Sequence, residues 1–322
     1  MSVQQPPSPG PKGSRLTVCL AVGLLGIAGV AVWLGTWGYR AARQQRAVDK
    51  VVFVGGSVLY EHHLERPFGY PEQSDNRRLH AQPPGPAWAR ALLGDQAVQR
   101  VVAIELGQRD FTDADLADLA SLADLQLLNL DFNNVTDAGL VHLAGLTNLR
   151  VLHLSRMKIT DEGLRHLAGL AKLEVLDLYA TQVTGAGLDH LAGLRHLKKL
   201  DLQQTPLQGA ELERLRHFAG LKELFLGATP IGDDDLVHLA ALPDLAQLGI
   251  DRTRVTDAGL AHLRALPKLT HLYLEGDFTD AAVRHLKDLP SLEYLELKGD
   301  AVSDKAIGEL NNANPKLVVT RG

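Results

Sequence analysis

Apolar residues recur with a period of 24 residues along two-thirds of the chain. When the sequence is written in rows of 24 from Val98, with the first residue of a row as position 0, positions 0, 3, 6, 8, 13, 18 and 21 are apolar in every row. Nine rows fill 98–312, and the eighth is one residue short before Phe278. Such strict repetition indicates one small structural unit that is copied many times. The third row shows the set as Leu146, Leu149, Leu152, Leu154, Ile159, Leu164 and Leu167.

Each row carries the signals of one strand and one short helix. Apolar residues at positions 6 and 8 have the spacing of a strand with one buried face, and those at positions 18 and 21 have helical spacing. Between them, pairs such as Thr136 and Asp137 predict the start of the helix, because Thr is a good N-cap and Asp suits the positive end of the helix dipole. Glycines such as Gly145 predict its end.

The fold follows from the fact that a single row cannot bury its own leucines. Rows must therefore stack, and we predict an α/β solenoid, a curved horseshoe with parallel strands on its concave face and short helices on its convex face. Residues 86–97 are interpreted as the N-terminal cap of this array, and 313–322 as its C-terminal cap, with a strand near its end that closes the sheet.

The repeat resembles the leucine-rich repeat family, and LAKLEVLDLYATQVTGAGLDHLAG at 170–193 is a nearly complete copy of its pattern. It is similar to 24-residue bacterial repeats, including those of planctomycete-type genomes, and to the repeats of F-box ubiquitin-ligase receptors. The resemblance implies the fold strongly and the function weakly, because this scaffold serves many unrelated partners. The family's usual Asn is mostly replaced by a hydroxyl residue, which we expect to bond the turn backbone less completely: Thr181, Thr205, Thr229 and Thr253.

An uncharged run covers 16–39, and as a helix it would be about 36 Å long, enough to cross a bilayer. We predict a single-pass transmembrane signal-anchor here, preceded by a disordered tail at 1–15, because a cleaved signal peptide has a shorter apolar core. Basic residues flank both ends almost equally, so the sequence leaves open which side of the membrane the repeats occupy. Residues 40–85 are interpreted as a juxtamembrane helix and linker, within which Ser57–Tyr60 is a candidate strand.

Composition excludes several classes of protein. The net charge of −5 and the pI of about 6.2 argue against a nucleic-acid binder. The single cysteine, Cys19, excludes a disulfide scaffold and a Cys-based zinc site. Phosphate-loop, HExxH and Gly-x-Ser-x-Gly motifs do not occur, so we expect neither catalysis nor a cofactor.

Two groups of histidines are candidates for a metal site. One is Glu61-His62-His63 with Glu65, which we interpret as solvated surface. The other is a column at position 20 of the rows, which we also interpret as surface, because ligands must converge on one ion while a column spreads along the solenoid. We therefore predict no metal site. The column consists of His142, His166, His190, His238, His262 and His285.

The residues at positions 7 and 9 vary from row to row while the core does not. Side chains alternate along a strand, so these positions must point away from the core. We predict that they form a concave partner-binding surface with aromatic anchors among carboxylates, suited to a protein with a basic surface. The other interpretation is a solvated sheet face whose acids oppose aggregation. The predicted contacts are Asp131, His153, Ser155, Asp177, Tyr179, Asp201, Gln203, Phe225, Asp251, Tyr273 and Glu275.

Leu127, Val151 and Val175 at position 5 form an apolar column beside this surface. Two interpretations stay open for it, an exposed contact patch and packing at the strand edge.

Three hypotheses about function follow. The first is a membrane-anchored, non-catalytic module that binds a protein partner on the concave face. The second is a substrate-recognition subunit of a ubiquitin ligase, implied by the F-box resemblance, which requires a helical adaptor-binding box near the N-terminus. The third is an enzyme with its site in 40–97, where no nucleophile and base stand at a recognisable spacing.

Overall fold

The computed structural model describes residues 35–36, 38–61, 99–299 and 301–321. The predicted tail at 1–15, nearly all of the predicted membrane segment at 16–39, and the predicted cap at 86–97 lie outside these residues. Among the described residues, no helix has both the length and the apolar character that a membrane crossing requires.

The strands form one sheet in which each strand lies beside its neighbour in the sequence. The first strand, Ser57–Tyr60, pairs antiparallel with the second, Val101–Glu105, and all later strands pair in parallel. Residues at the same position of successive rows pair in the sheet, so Leu128 pairs with Leu152 and Leu152 with Leu176. The strands are β1 Ser57–Tyr60, β2 Val101–Glu105, β3 Leu127–Asn129, β4 Val151–His153, β5 Val175–Asp177, β6 Lys199–Asp201, β7 Glu223–Phe225, β8 Gln247–Gly249, β9 His271–Glu275, β10 Tyr294–Lys298 and β11 Val318–Arg321.

A helical segment follows each strand from β2 to β10. Several of these segments are wholly or partly 3₁₀ helix. The α-helices are Asp113–Leu119, Asp137–Leu140, Asp161–Leu164, Gly185–His190, Ala282–Leu286 and Asp304–Ala313. The 3₁₀ helices are Val141–Leu143, Arg165–Leu167, Gly209–Phe218, Asp233–Ala241 and Gly259–Ala265.

The seven apolar positions of each row form the core between the sheet and the helical side. Every described residue at these positions is at most 4% exposed, except Ile307, which is half-buried. The core is continuous from Ala47 to Leu317. The predicted α/β solenoid with a parallel sheet is therefore confirmed.

Residues near the N-terminus cover the first row. Helical residues 38–53 bury Ala47, Val48 and Val51 in the core. Lys50 forms an ion pair with Asp115 at 2.5 Å. The described part of 40–85 thus packs on the array, with β1 as the edge strand of the sheet.

Polar side chains at position 11 tie the turns to the sheet in most rows, although Met157 stands there between Asn133 and Thr181. The Asn133 amide donates to the carbonyls of Leu106 and Leu130 at 2.8 and 2.9 Å and accepts from the N–H of Phe111 at 2.8 Å, so it joins two rows. Thr205 donates only to the carbonyl of Leu202, at 2.6 Å in its own row. The expectation that Thr replaces Asn incompletely agrees with these contacts.

A ladder of carboxylates joins the helix starts of neighbouring rows, and the sequence analysis did not foresee it. The Asp161 carboxylate accepts from the N–H and the hydroxyl of Thr184, at 2.8 and 2.6 Å. The same two-bond contact recurs in five other pairs. They are Asp113 with Thr136, Asp137 with Thr160, Asp233 with Thr256, Asp257 with Thr279, and Asp280 with Ser303.

This ladder is interrupted in the middle of the array, where Gly185 and Gly209 occupy the position of the carboxylate. There Glu211 reaches back and accepts from the N–H groups of Gly185 and Gln208, at 3.0 and 2.9 Å. The Thr residues predicted as N-caps do stand at the helix starts, and the hydroxyls of Thr160 and Thr184 accept from the N–H groups of Glu162 and Ala186. Thr136 is also an N-cap residue but makes no cap bond with its side chain, which donates to the preceding row.

Replacing the shared carboxylate should destabilise the array. In Asp161→Ala, the half-buried N–H and hydroxyl of Thr184 lose their acceptor, so we expect a loss of about 1–3 kcal/mol in the free energy of unfolding. Urea unfolding followed by circular dichroism measures this loss. The neighbouring Glu162, whose side chain is 69% exposed and pairs with Arg165, is the control. Glu162→Ala should change the free energy by less than about 0.5 kcal/mol, and equal effects of the two changes would contradict the inter-row role.

Candidate functional site

The candidate site is the sheet face that points away from the core, which we call the open sheet face. It consists of the side chains at positions 5 and 7 of each strand and of position 9 just after it. Because the register is regular, residues at position 7 form a column in which His153 pairs with Asp177, Asp177 with Asp201, and Asp201 with Phe225. Adjacent strands are about 4.8 Å apart, so the side chains of neighbouring residues in this column are close enough to touch.

The predicted contact residues all lie on or beside this face. All of them are half-buried except Ser155, which is only 5% exposed. The Ser155 side chain is therefore turned to its neighbours and does not offer a contact to a partner.

The column at position 5 does not form an exposed apolar patch. Leu127 and Val175 are buried and Val151 is half-buried. Packing at the strand edge is therefore the correct one of the two interpretations.

An acidic–histidine cluster occupies the N-terminal half of the open sheet face. It consists of Glu105, Asp131, His153, Asp177 and Asp201. The His153 Nδ1 lies 3.4 Å from the Asp177 Oδ2. The other oxygen of Asp177 accepts from a backbone N–H, that of Tyr179 at 2.9 Å, so the strand end itself fixes this carboxylate.

Carboxylates of the cluster are poorly compensated. Burial raises the pKa of Glu105 and that of Asp131, and in the latter the charge of Asp177 adds to the effect. Burial, together with the charge of Asp177, raises the pKa of Asp201 to about 6. The negative charge on these groups is therefore costly in the free chain.

The pKa values of His153 and Asp177 shift in the directions that favour the charged form of each residue. Burial opposes charge on His153, but the hydrogen bond to Asp177 and the charges of Asp131, Asp177 and Glu105 together raise its pKa. Burial likewise opposes charge on Asp177, but hydrogen bonds from His153 and from the N–H of Tyr179 lower its pKa.

An aromatic cluster occupies the C-terminal half of the face. The ring centroids of Phe225 and Tyr273 are 6.0 Å apart, and those of Tyr273 and Tyr294 are 5.8 Å apart. His271 stacks on Tyr294 at 5.6 Å. Gly249 makes room for this cluster, because a Cβ there would lie 2.8 Å from the Phe225 ring.

The sequence analysis missed a third column on this face, at position 10. Its residues have positive φ, between 53 and 60° from Gln108 to Arg252, although none is glycine. This backbone turns Arg156 between the rings of Phe132 and Tyr179, at 5.4 and 5.3 Å. Position 10 varies in chemistry from row to row, so no pattern in the sequence marked it.

The histidine column at position 20 lies on the helical side, away from this face. Its members are half-buried or exposed. Within the described ranges, the one group of side chains whose geometry fits a metal ion is Asp131, His153 and Asp177. His62, His63 and Glu65 lie outside those ranges.

Comparisons with known proteins give the following matches. The leucine rich repeat family model matches residues 123–183, and the apolar positions of that segment recur in the other rows. A solved structure of internalin C2 from Listeria monocytogenes is 26% identical, with 66% of this chain and 84% of that chain covered and a TM-score of 0.44. An internalin (inlF) structure from the same organism is 20% identical, with 71% and 85% covered and a TM-score of 0.42. A search of curated proteins found no match.

Asp201 should make the stability of the fold depend on pH. Its folded pKa of about 6 exceeds the value of about 3.9 in an unfolded chain, so the folded chain binds more protons between pH 4 and 6 and loses stability as the pH rises through that window. Asp201→Asn removes the charge and retains an acceptor for the Gln203 N–H, which lies 3.0 Å away. We expect the variant to be more stable than the parent at pH 7, by up to about 3 kcal/mol, and equally stable near pH 4.

Urea unfolding at both pH values measures the difference. The control is Asp124→Asn, at an exposed carboxylate away from the open sheet face. Its free energy of unfolding should stay within about 0.5 kcal/mol of that of the parent at both pH values. A gain at pH 7 that persists at pH 4 would show that the charge of Asp201 is not its cause.

Proposed function

We propose that this chain, a member of the leucine-rich repeat family, is a non-catalytic protein-interaction module. We also propose that the open sheet face binds its partner. The observation that carries the proposal is the contrast between the seven constant apolar positions and the variable positions 7, 9 and 10. The constant positions hold the rows in register, and the variable ones all project from one continuous sheet.

The chemistry of the face supports a partner that presents Lys or Arg side chains. The raised pKa values of Glu105, Asp131 and Asp201 mean that these carboxylates lack sufficient positive charge within the chain. A cationic group from a partner would supply that charge. The adjoining ring of Tyr273 would pack on its aliphatic stem and attract its charge, beside Phe225, whose ring already lies under the Lys199 ammonium at 5.2 Å.

The face also contains rigid anchors of the kind that dominate binding energies. Arg156 is held between two rings and donates to the Tyr179 hydroxyl at 3.1 Å. Tyr and Arg side chains held in place in this way lose little conformational entropy on binding. The centre of the proposed surface is therefore Asp177, Tyr179, Asp201, Gln203 and Phe225.

We further propose that the apolar run at 16–39 anchors the chain in a membrane by a single pass. The length of the run and its lack of charge support this part. Helical residues 38–53, which begin at its end, pack on the first row through Ala47 and Val51. An anchor of this kind would hold the repeats close to the membrane.

The ubiquitin-ligase alternative receives no support from the comparisons. Within residues 40–61, the described part of the segment that would have to hold the adaptor-binding box, the chain forms one helix and one strand that pack on the array.

Photo-crosslinking tests the binding surface. Two variants are expressed in intact cells, one with benzoylphenylalanine in place of Phe225 on the open sheet face and one with it in place of the 51% exposed Val237 on the helical side. The proteins that each variant captures are identified by mass spectrometry. We expect Phe225 to capture a protein that Val237 does not capture. The same proteins at both positions would refute the placement.

Neutralising the centre of the face should weaken this capture. Asp177→Asn with Asp201→Asn keeps acceptors for the N–H groups of Tyr179 and Gln203 but removes both charges. We expect at least a tenfold loss of affinity, because truncated charge pairs at interfaces cost about 2–5 kcal/mol. The control is Asp124→Asn with Asp234→Asn, at two exposed carboxylates away from the open sheet face, which should leave affinity unchanged.

Extraction of membranes with alkaline carbonate tests the anchor. The full chain should stay in the pellet, because a spanning helix resists extraction, whereas a chain that lacks 16–39 should be released. Release of the full chain would contradict the anchor, and a mature chain whose first residue lies within 16–39 would indicate a cleaved signal peptide instead.

A further inference from the structure

Three side chains from three successive rows meet in the acidic–histidine cluster. Asp131 follows β3, His153 ends β4 and Asp177 ends β5. One ligand atom from each, an imidazole nitrogen or a carboxylate oxygen, lies within 4.8 Å of the other two. The sheet register brings them together, because position 9 of one row adjoins position 7 of the next.

The spacing of His153 and Asp177 is that of two ligands of one ion. The 3.4 Å between Nδ1 and Oδ2 is longer than the usual 2.7–2.9 Å of a charge-assisted hydrogen bond. Two ligands that each lie 2.0–2.1 Å from a tetrahedral zinc ion are about 3.4 Å apart.

Hydrogen bonds from backbone N–H groups fix the orientation of both carboxylates, as is usual for carboxylates that bind metals. Asp131 Oδ1 accepts from the N–H of Ser155 at 2.7 Å, and Asp177 Oδ1 accepts from the N–H of Tyr179 at 2.9 Å. The buried Ser155 lies next to both carboxyls, because its N–H donates to Asp131 and a hydrogen bond from its hydroxyl contributes to the lowered pKa of Asp177. With its Oδ1 fixed in this way, Asp177 presents Oδ2 to the His153 imidazole, 3.4 Å from Nδ1.

Local charge also favours a cation. Besides the two aspartates, Glu105 and Asp201 lie in the column at position 7 on either side of this group. A protonated His153 would supply one positive charge against four carboxylates. A divalent ion would supply two and would leave the imidazole neutral, as a metal ligand must be.

We propose that Asp131, His153 and Asp177 bind a divalent transition-metal ion of the zinc class on the open sheet face. An imidazole with two carboxylates suits zinc and its neighbours rather than calcium or magnesium, which take oxygen ligands. Three protein ligands leave one tetrahedral position for water or for a group of a bound partner. This site goes beyond the proposed protein interaction and shares residues with it.

Titration of the purified full-length chain tests the proposal. The chain is freed of metal with EDTA, dialysed, and titrated calorimetrically with ZnCl₂. We expect one saturable site per chain, and at least tenfold weaker binding in His153→Gln and in Asp131→Asn, since each removes a ligand. Asp131→Asn keeps an acceptor for the Ser155 N–H, so it remains informative if His153→Gln does not fold. Titration with CoCl₂ should give the visible absorption of tetrahedral cobalt in the parent chain.

Matched controls separate this site from the other histidines. His262→Gln, in the column on the helical side, and His62→Gln with His63→Gln should retain the parent affinity. Absence of saturable zinc binding, or an affinity that is unchanged in His153→Gln and Asp131→Asn, would overturn the proposal and leave His153 as an ion-pair partner of Asp177. Because no partner is present in the titration, that result would not affect the proposed protein interaction.

Discussion

The structure depends on one constraint, which is that a row of 24 residues buries its leucines only against the rows beside it. Leu152 at position 6 is fully buried because Leu128 and Leu176 flank it in the sheet. Each row is therefore stable only within the array. The sheet, its parallel register and the columns of side chains on its open face all follow from this repeated packing.

The polar contacts between rows convert this packing into a defined register. Leucine side chains alone would tolerate small shifts between rows, whereas a carboxylate that accepts two hydrogen bonds from the next row, as Asp161 does from Thr184, fixes both position and orientation. The fixed register also fixes the relative positions of the side chains on the open sheet face. Asp131, His153 and Asp177 come from different rows, and they lie close together because the rows cannot slide.

The apolar period predicts the strand and the helical segment of each row, because both depend on residues close in sequence. Features that join rows could not be predicted in this way. The Asp161–Thr184 contact spans 23 residues, and the positive φ of Arg156 leaves no mark in composition. Taken one column at a time, the sequence marks the helical-side histidines as unsuitable ligands but does not reveal that His153 at position 7 adjoins Asp131 at position 9 of the preceding row.

The interruption of the carboxylate ladder at Gly185 and Gly209 has a consequence for cooperativity. Coupling between neighbours determines whether a linear array unfolds as one unit or as several. Where single acceptors such as Glu211 replace the two-bond contact, the coupling free energy is smaller, and partial opening should begin there. The array would then behave as two blocks, with Asp131, His153 and Asp177 in the first and the aromatic cluster in the second. Thermal fluctuation would change the position of the two blocks relative to each other before it unfolds either one.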